Sequence, residues 1–190
     1  MKNPFLAAAL VALAAPAFAQ QALPQYYVGG SLGASRLSVD CDGIATCDKD
    51  DVAYKAYIGR RFNHVFSAEA AYVNLGRAKF TGTESGATYG IDVKSKGFLL
   101  GVALRGEITP EVAVIGRAGL AMLKATGDAS VNSATGSRSE TSNQPYIGIA
   151  AEYALQRDLK LNVAVDQYRI DFVDDSYKVR TLTLGAQYEF

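Results

Sequence analysis

Three regularities in this 190-residue chain predict an all-β fold, an eight-stranded antiparallel up-and-down transmembrane β-barrel. Apolar residues alternate with polar ones at a period of two, which is the pattern of strands with one apolar and one polar face. Tight turns alternate with long polar segments, as in barrels that cross an outer membrane. Aromatic residues of the apolar row gather at strand ends, where a bilayer has its two interfaces.

The C-terminus shows the alternation most clearly. Leu182, Leu184, Ala186, Tyr188 and Phe190 point one way, and Thr181, Thr183, Gly185, Gln187 and Glu189 the other. In order along the chain, Tyr26–Ser35, Tyr54–Gly59, Phe66–Val73 and Phe98–Arg105 repeat the pattern. Val112–Lys124 carries apolar residues on both faces, with Arg117, Gly119 and Ala121 assigned to the polar one. Ile147–Tyr153 and Leu159–Asp166 complete the eight with the C-terminal strand. Asn63-His64, Thr109-Pro110-Glu111 and Gln156-Arg157-Asp158 are expected tight turns. Ser38–Asp51, Gly76–Lys96, Ala125–Asn143 and Arg169–Lys178 are expected long surface loops.

The apolar row places Tyr26, Phe62, Phe66, Tyr153, Tyr188 and Phe190 near the short turns, and Tyr54, Tyr72 and Phe98 near the long segments. Two such girdles favour an apolar row facing lipid over a soluble barrel with that row inside. The opposite row mixes Gly, Ala and Ser with charges, as a narrow, filled interior requires.

Residues 1–19 read as a signal peptide. Lys2 gives a positive flank, Phe5–Ala15 an apolar run and Ala17-Phe18-Ala19 the small residues of a cleavage site. The barrel domain is then 20–190, exported to the cell outer membrane. With 19 basic and 19 acidic residues, the chain has no bulk charge to hold nucleic acid. Two cysteines and one histidine cannot close a structural zinc site. No cofactor or metal is expected.

Gly59-Arg60-Arg61-Phe62-Asn63 followed by Ala68-Glu69-Ala70-Ala71-Tyr72-Val73-Asn74-Leu75-Gly76 resembles the second and third strands of OmpA-like small outer-membrane barrels. Ala151-Glu152-Tyr153 resembles their sixth strand, and Tyr188-Glu189-Phe190 the C-terminal signal read by the barrel-assembly machinery. The resemblance spans the chain after the signal peptide. It implies the transmembrane barrel without a peptidoglycan-binding domain, since the sequence stops at Phe190. It also places Glu69, Arg117 and Glu152 mid-barrel with Arg105 a further partner. In the seventh strand, Ala164 stands where these barrels carry an interior Arg.

The alternation puts Lys55, Arg61, Glu69, Arg105, Glu107, Arg117, Glu152, Lys160 and Asp166 inside. Such a set is either a paired polar core or a gated ion path. Pairing is expected, because eight strands leave room only for side chains. Cys41 and Cys47 are expected to form a disulfide across a loop tip in an oxidising compartment. Asp40, Asp42, Asp48, Asp50 and Asp51 surround it, either as a solvated acidic loop or as ligands for a hard cation. His64 falls in a turn on the periplasmic side, away from any lipid substrate in the outer leaflet, so no enzyme is expected. Lys79, Lys94, Lys96, Arg138 and Lys178 lie in or beside the outer segments, either as lipopolysaccharide contacts or as solvated charges.

The expected role is structural or surface-interacting, in adhesion or envelope integrity. A narrow pore is the alternative, and a lipid-modifying enzyme a distant third. Expected partners are outer-membrane lipid and lipopolysaccharide, the barrel-assembly machinery, periplasmic chaperones and a host or cell-surface ligand, with the protein a monomer.

Overall fold

The computed structural model describes residues 25–38, 46–84, 87–131, 134–172 and 175–190, all in strands and short connections. The expected signal peptide and Cys41 lie outside the described residues. The strands are β1 (Tyr26–Ser38), β2 (Thr46–Asp48), β3 (Asp50–Arg61), β4 (Phe66–Glu84), β5 (Ala87–Glu107), β6 (Val112–Val131), β7 (Ala134–Ala154), β8 (Leu159–Phe172) and β9 (Asp175–Glu189). Eight of them close a ring in the order β1-β3-β4-β5-β6-β7-β8-β9, every pair antiparallel, with β4–β5 and β1–β9 sealing it. Closure leaves no free edge around the barrel wall. The chain ends meet in the wall, where Tyr26 N–H donates to Phe190 O at 3.1 Å and Phe190 N–H to Tyr26 O at 2.9 Å.

β2 is a ninth segment that the sequence did not suggest. It pairs with β4 from Thr46↔Thr81 to Asp48↔Lys79, continuing the line of β3 past a bulge between Asn74 and Arg77. Gly76 sits in that bulge at φ 76°, a backbone geometry open to glycine. Arg77 N–H donates to Asp51 Oδ2 at 2.8 Å, so the carboxylate takes up a donor that the bulge frees.

The short connections are built by side chains that accept from the turn backbone. Asn63 Oδ1 accepts from Val65 and Phe66 N–H at 2.9 and 2.7 Å. Thr109 Oγ1 does the same for Glu111 and Val112 at 3.3 and 3.1 Å. These are Asx- and ST-type turns, which is why Asn and Thr open them.

The last three of the long segments expected as loops are mostly strand among the described residues. β4 and β5 stay paired out to Glu84↔Ala87, β6 and β7 to Val131↔Ala134, and β8 and β9 to Phe172↔Asp175. The physical reason is a second apolar row. Leu75, Ala78, Leu123, Ala125, Ile170 and Val179 are inward and buried, so these hairpins have a core of their own to pack on. The β7–β8 ladder stops at Ile147↔Gln167. Pro145 lies just beyond it and has no N–H to extend a ladder.

Candidate functional site

The lumen has three levels. At the short-turn mouth, ion pairs of alternating sign run between strands. Arg61 on β3 grips Glu189 on β9 with both guanidinium nitrogens, the NH1–Oε2 contact being 2.7 Å. Lys160 Nζ reaches Glu189 at 2.6 Å and Glu152 at 3.5 Å. Arg105 completes the sequence with Glu152, and its Nε lies 3.4 Å from Glu107. Arg61, Arg105, Glu107, Lys160 and Glu189, with exposed His64 and Arg157, line a mouth cavity of about 420 Å³. Glu107, expected inside, stands at the rim with 60% of its side chain exposed, because β5 ends there.

The middle level is fully enclosed. Arg117 Nε donates to Glu69 Oε2 at 3.0 Å, and Tyr27 OH donates to Glu69 Oε1 at 2.8 Å. Lys55 Nζ lies 2.5 Å from Asp166 Oδ2, with 6% and 1% of the two side chains exposed. Arg117 also sits 5.7 Å from the Tyr57 ring centroid, a cation–π distance. Tyr57 OH accepts from Asn162 Nδ2 at 3.0 Å and donates to Gln187 Oε1 at 3.3 Å. Small residues make room for these side chains. A Cβ on Gly59 would overlap the Tyr27 ring, and one on Gly29 the Tyr57 ring, so each tyrosine lies over its cross-strand glycine.

The upper level is apolar. Val73, Leu75, Leu99, Ala121, Leu123, Ala125, Tyr146, Tyr168, Ile170 and Val179 form one buried cluster. Tyr146 and Tyr168 stack with centroids 5.8 Å apart. These ten side chains carry no formal charge, so an ion at this level would meet no charged partner.

The outer surface inverts where this cluster begins. Lower down, Leu32, Ile58, Leu100, Leu120, Ile149, Val163 and Leu184 point outward and exposed. Aromatic pairs edge this band, with Tyr26–Phe190 and Tyr188–Phe190 stacked at the short-turn side and Tyr54–Tyr72 tilted and Tyr72–Phe98 edge-on at the other. Above it, Arg36, Lys96, Lys124, Arg169, Lys178 and Arg180 take the outward positions. Lys94 pairs with Asp128 at 3.1 Å and Arg138 with Glu140 at 2.5 Å on the raised hairpins. Hydrogen bonds from Ser137 and then Lys94 hold the Asp128 carboxyl below the usual carboxylate range.

The acidic segment is engaged locally. Asp50 takes both Nε and NH2 of Arg36, at 2.6 and 2.8 Å, and that bonding lowers its pKa. Asp51 accepts from Val52 N–H as well as Arg77 N–H. Cys47 lies in β2, and Asp40 and Asp42 lie outside the described residues. Among the described residues no group of three His, Cys, Asp or Glu is arranged to hold a metal ion.

Two features escaped the sequence reading. Glu189 was on the polar row yet unassigned, although it anchors Arg61 and Lys160. Its signal was the match in parity with Gln187, which donates to it at 2.9 Å. The apolar cluster was hidden in segments that look polar overall.

The family model for the outer membrane protein beta-barrel domain matches residues 5–190. No curated protein sequence matches the chain. Among solved structures, the attachment invasion locus protein Ail of Yersinia pestis superposes with a TM-score of 0.57 at 20% identity, covering 87% of this chain and 99% of that one. Neisserial surface protein A gives 0.57 at 12% identity over 87% and 97%. The N-terminal barrel of Pseudomonas aeruginosa OprF gives 0.55 at 13% over 88% and 99%. At such identities these likenesses concern the fold. Residues, ring closure and family match agree, and the chain belongs to the outer membrane β-barrel family.

Proposed function

We propose that this protein is a closed barrel that displays a surface, and that its role is adhesion or envelope integrity rather than transport. The observation that carries this is the pairing of an apolar cluster in the upper lumen with raised, polar-faced hairpins. The apolar cluster lies across the path that a solute would take. The hairpins continue as hydrogen-bonded strands well beyond the apolar band, offering a rigid face to a cell-surface ligand. Ail has been crystallised with the heparin analogue sucrose octasulfate, which makes sulfated glycans a reasonable first probe.

In this reading residues 1–19 are removed on export and Cys41 and Cys47 form a disulfide outside the bilayer. Tyr188 and Phe190 serve recognition by the assembly machinery, with periplasmic chaperones delivering a monomer. Lipopolysaccharide surrounds the outward cations. The inward network of Lys55, Arg61, Glu69, Arg105, Arg117, Glu152 and Asp166 is structural, holding the wall together across the lumen.

The test has two arms. Purified barrel in planar bilayers at neutral pH is expected to give no steady porin-sized conductance. Cells displaying it are expected to bind immobilised heparin or host matrix, and to lose binding when the β6–β7 hairpin above Lys124 is replaced by a short turn. A steady large conductance, with binding unaffected by trimming the hairpins, would promote the pore instead.

A further inference from the structure

The outward wall of β3 to β6 is not smooth. A groove of about 550 Å³ runs down it, bounded by Ile58, Ala70, Tyr72, Phe98, Leu100 and Met122. The register explains it. Ala70 is paired with Ile58 on one side and Leu100 on the other, so a methyl group sits between two large side chains. One row up, Tyr72 meets Phe98 edge-on with centroids 5.5 Å apart, and Phe98 is paired with Met122. The groove volume falls within the roughly 300–1,000 Å³ typical of ligand sites.

The next outward positions on these strands are Asn74, Lys96 and Lys124, which form the groove's upper lip. Lys96 and Lys124 are direct cross-strand partners, both exposed. Like charges placed so repel, with Cβ atoms only about 5 Å apart. Neighbouring Lys94 has Asp92 and Asp128, but among the described residues no carboxylate forms an ion pair with Lys96 or Lys124. Two uncompensated ammonium groups therefore stand over an apolar groove. Four residues down a tilted strand descend roughly 10 Å, most of one leaflet of a bilayer core.

We propose that Lys96 and Lys124 clamp a phosphate of one lipid A molecule whose acyl chain lies in the groove over Ala70. The inference rests on the barrel being embedded in an outer membrane, as argued above. The phosphate relieves the lysine pair, and the chain fills the dip left by Ala70. A soluble polyanion would satisfy the lysines but has no use for the groove. That difference commits the site to a phosphorylated acyl lipid. Lysine is suited to the task as a point charge on a flexible apolar stem that can lie along the wall.

The experiment compares wild type, Lys96→Gln/Lys124→Gln and Ala70→Phe, each refolded into detergent and probed with bisphosphorylated lipid A. Native mass spectrometry reads the bound lipid, and heat-modifiable gel mobility reads folding. Ala70 faces outward, so phenylalanine there fills the groove without entering the lumen. Both variants are expected to fold and to bind lipid A more weakly, the lysine pair by about 30-fold. Folded variants that keep wild-type lipid A binding would overturn the site. So would normal binding by Ala70→Phe together with displacement by soluble heparin, which marks a polyanion surface instead. Failure of the wild type to give a heat-modifiable band in any lipid would sink the membrane-barrel reading itself, a result distinct from either.

Discussion

The two halves of the lumen are built from the same strands and solve opposite problems. In the half nearer the short turns the wall faces lipid, so its outer row is apolar and its inner row holds Arg61–Glu189, Lys160–Glu152, Arg117–Glu69 and Lys55–Asp166. In the half under the hairpins the outer row is Lys124, Arg169 and Arg180, and the inner row is Leu123, Ile170 and Val179. The phase of alternation never changes along β6, β8 or β9, but the meaning of each face does. A strand that leaves the membrane exchanges its solvent, and its amphipathicity inverts to match. The lower half thus fills its lumen with directional charge pairs beside a small apolar cluster of Ala103, Ile115, Ala150 and Ala164, and the upper half with a larger apolar cluster.

The largest expected effect breaks the lower half. Glu69→Ala leaves Arg117, with 3% of its side chain exposed, without its carboxylate, and takes from Tyr27 OH an acceptor at 2.8 Å. Breaking one side of a buried pair is expected to cost about 3–5 kcal/mol. Urea unfolding in lipid vesicles reads it as a lowered midpoint at unchanged slope. Glu69→Leu combined with Arg117→Met is expected to recover most of that loss, because removing both charges leaves none stranded. A loss below about 1 kcal/mol for the single variant would mean that the lumen pairs are solvated.

How much of this could be read beforehand follows the same division. Most charged residues of the lower lumen are legible by parity, Glu69, Arg117, Glu152 and Asp166 falling opposite apolar outward neighbours, with Glu189 the exception. Their partners were not visible. Arg61 meets Glu189 from β3 to β9 with β1 between them, a choice set by tilt and stagger around the barrel rather than by spacing. The upper half reads as loops in the sequence because the apolar outward row does not continue into it. At Lys124 that row turns polar while Leu123 and Ala125 carry the apolar pattern inward, so a continuing strand looks like a loop.

A smaller effect tests the upper half against the membrane-facing wall. Leu123 and Leu120 are neighbours on β6 with opposite surroundings, one 0% exposed inside the cluster and one 59% exposed outward. Leu123→Ala is expected to cost about 2–4 kcal/mol through the cavity it leaves. Leu120→Ala should cost under about 1 kcal/mol, because lipid tails are as apolar as the side chain lost and close the gap. Equal losses in vesicle-based unfolding would show that the upper lumen is hydrated rather than packed.

The smallest effect lies at the rim where the two halves meet water, and it depends on pH. Arg36 hydrogen-bonds Asp50 through both Nε and NH2, and this lowers the Asp50 pKa beneath its ordinary value. A carboxylate depressed in the folded state contributes stability above its unfolded pKa of about 3.9 and loses that contribution as pH falls through the lower folded value. Both side chains are well exposed, with 67% and 52% of their surface open, so screening keeps the contribution small. The titration is the sharper observable. The Asp50 carboxyl resonance should shift with a midpoint below that of free aspartate, and Arg36→Gln should return it to the ordinary range. High salt should move it the same way by a lesser amount, since the exposed Coulomb part is screened and the hydrogen bonds are not. A wild-type midpoint at the free-aspartate value would remove this pair as a link between β1 and β3 at the top of the barrel wall, leaving Leu37 N–H to Lys49 O at 2.9 Å to carry the closure there.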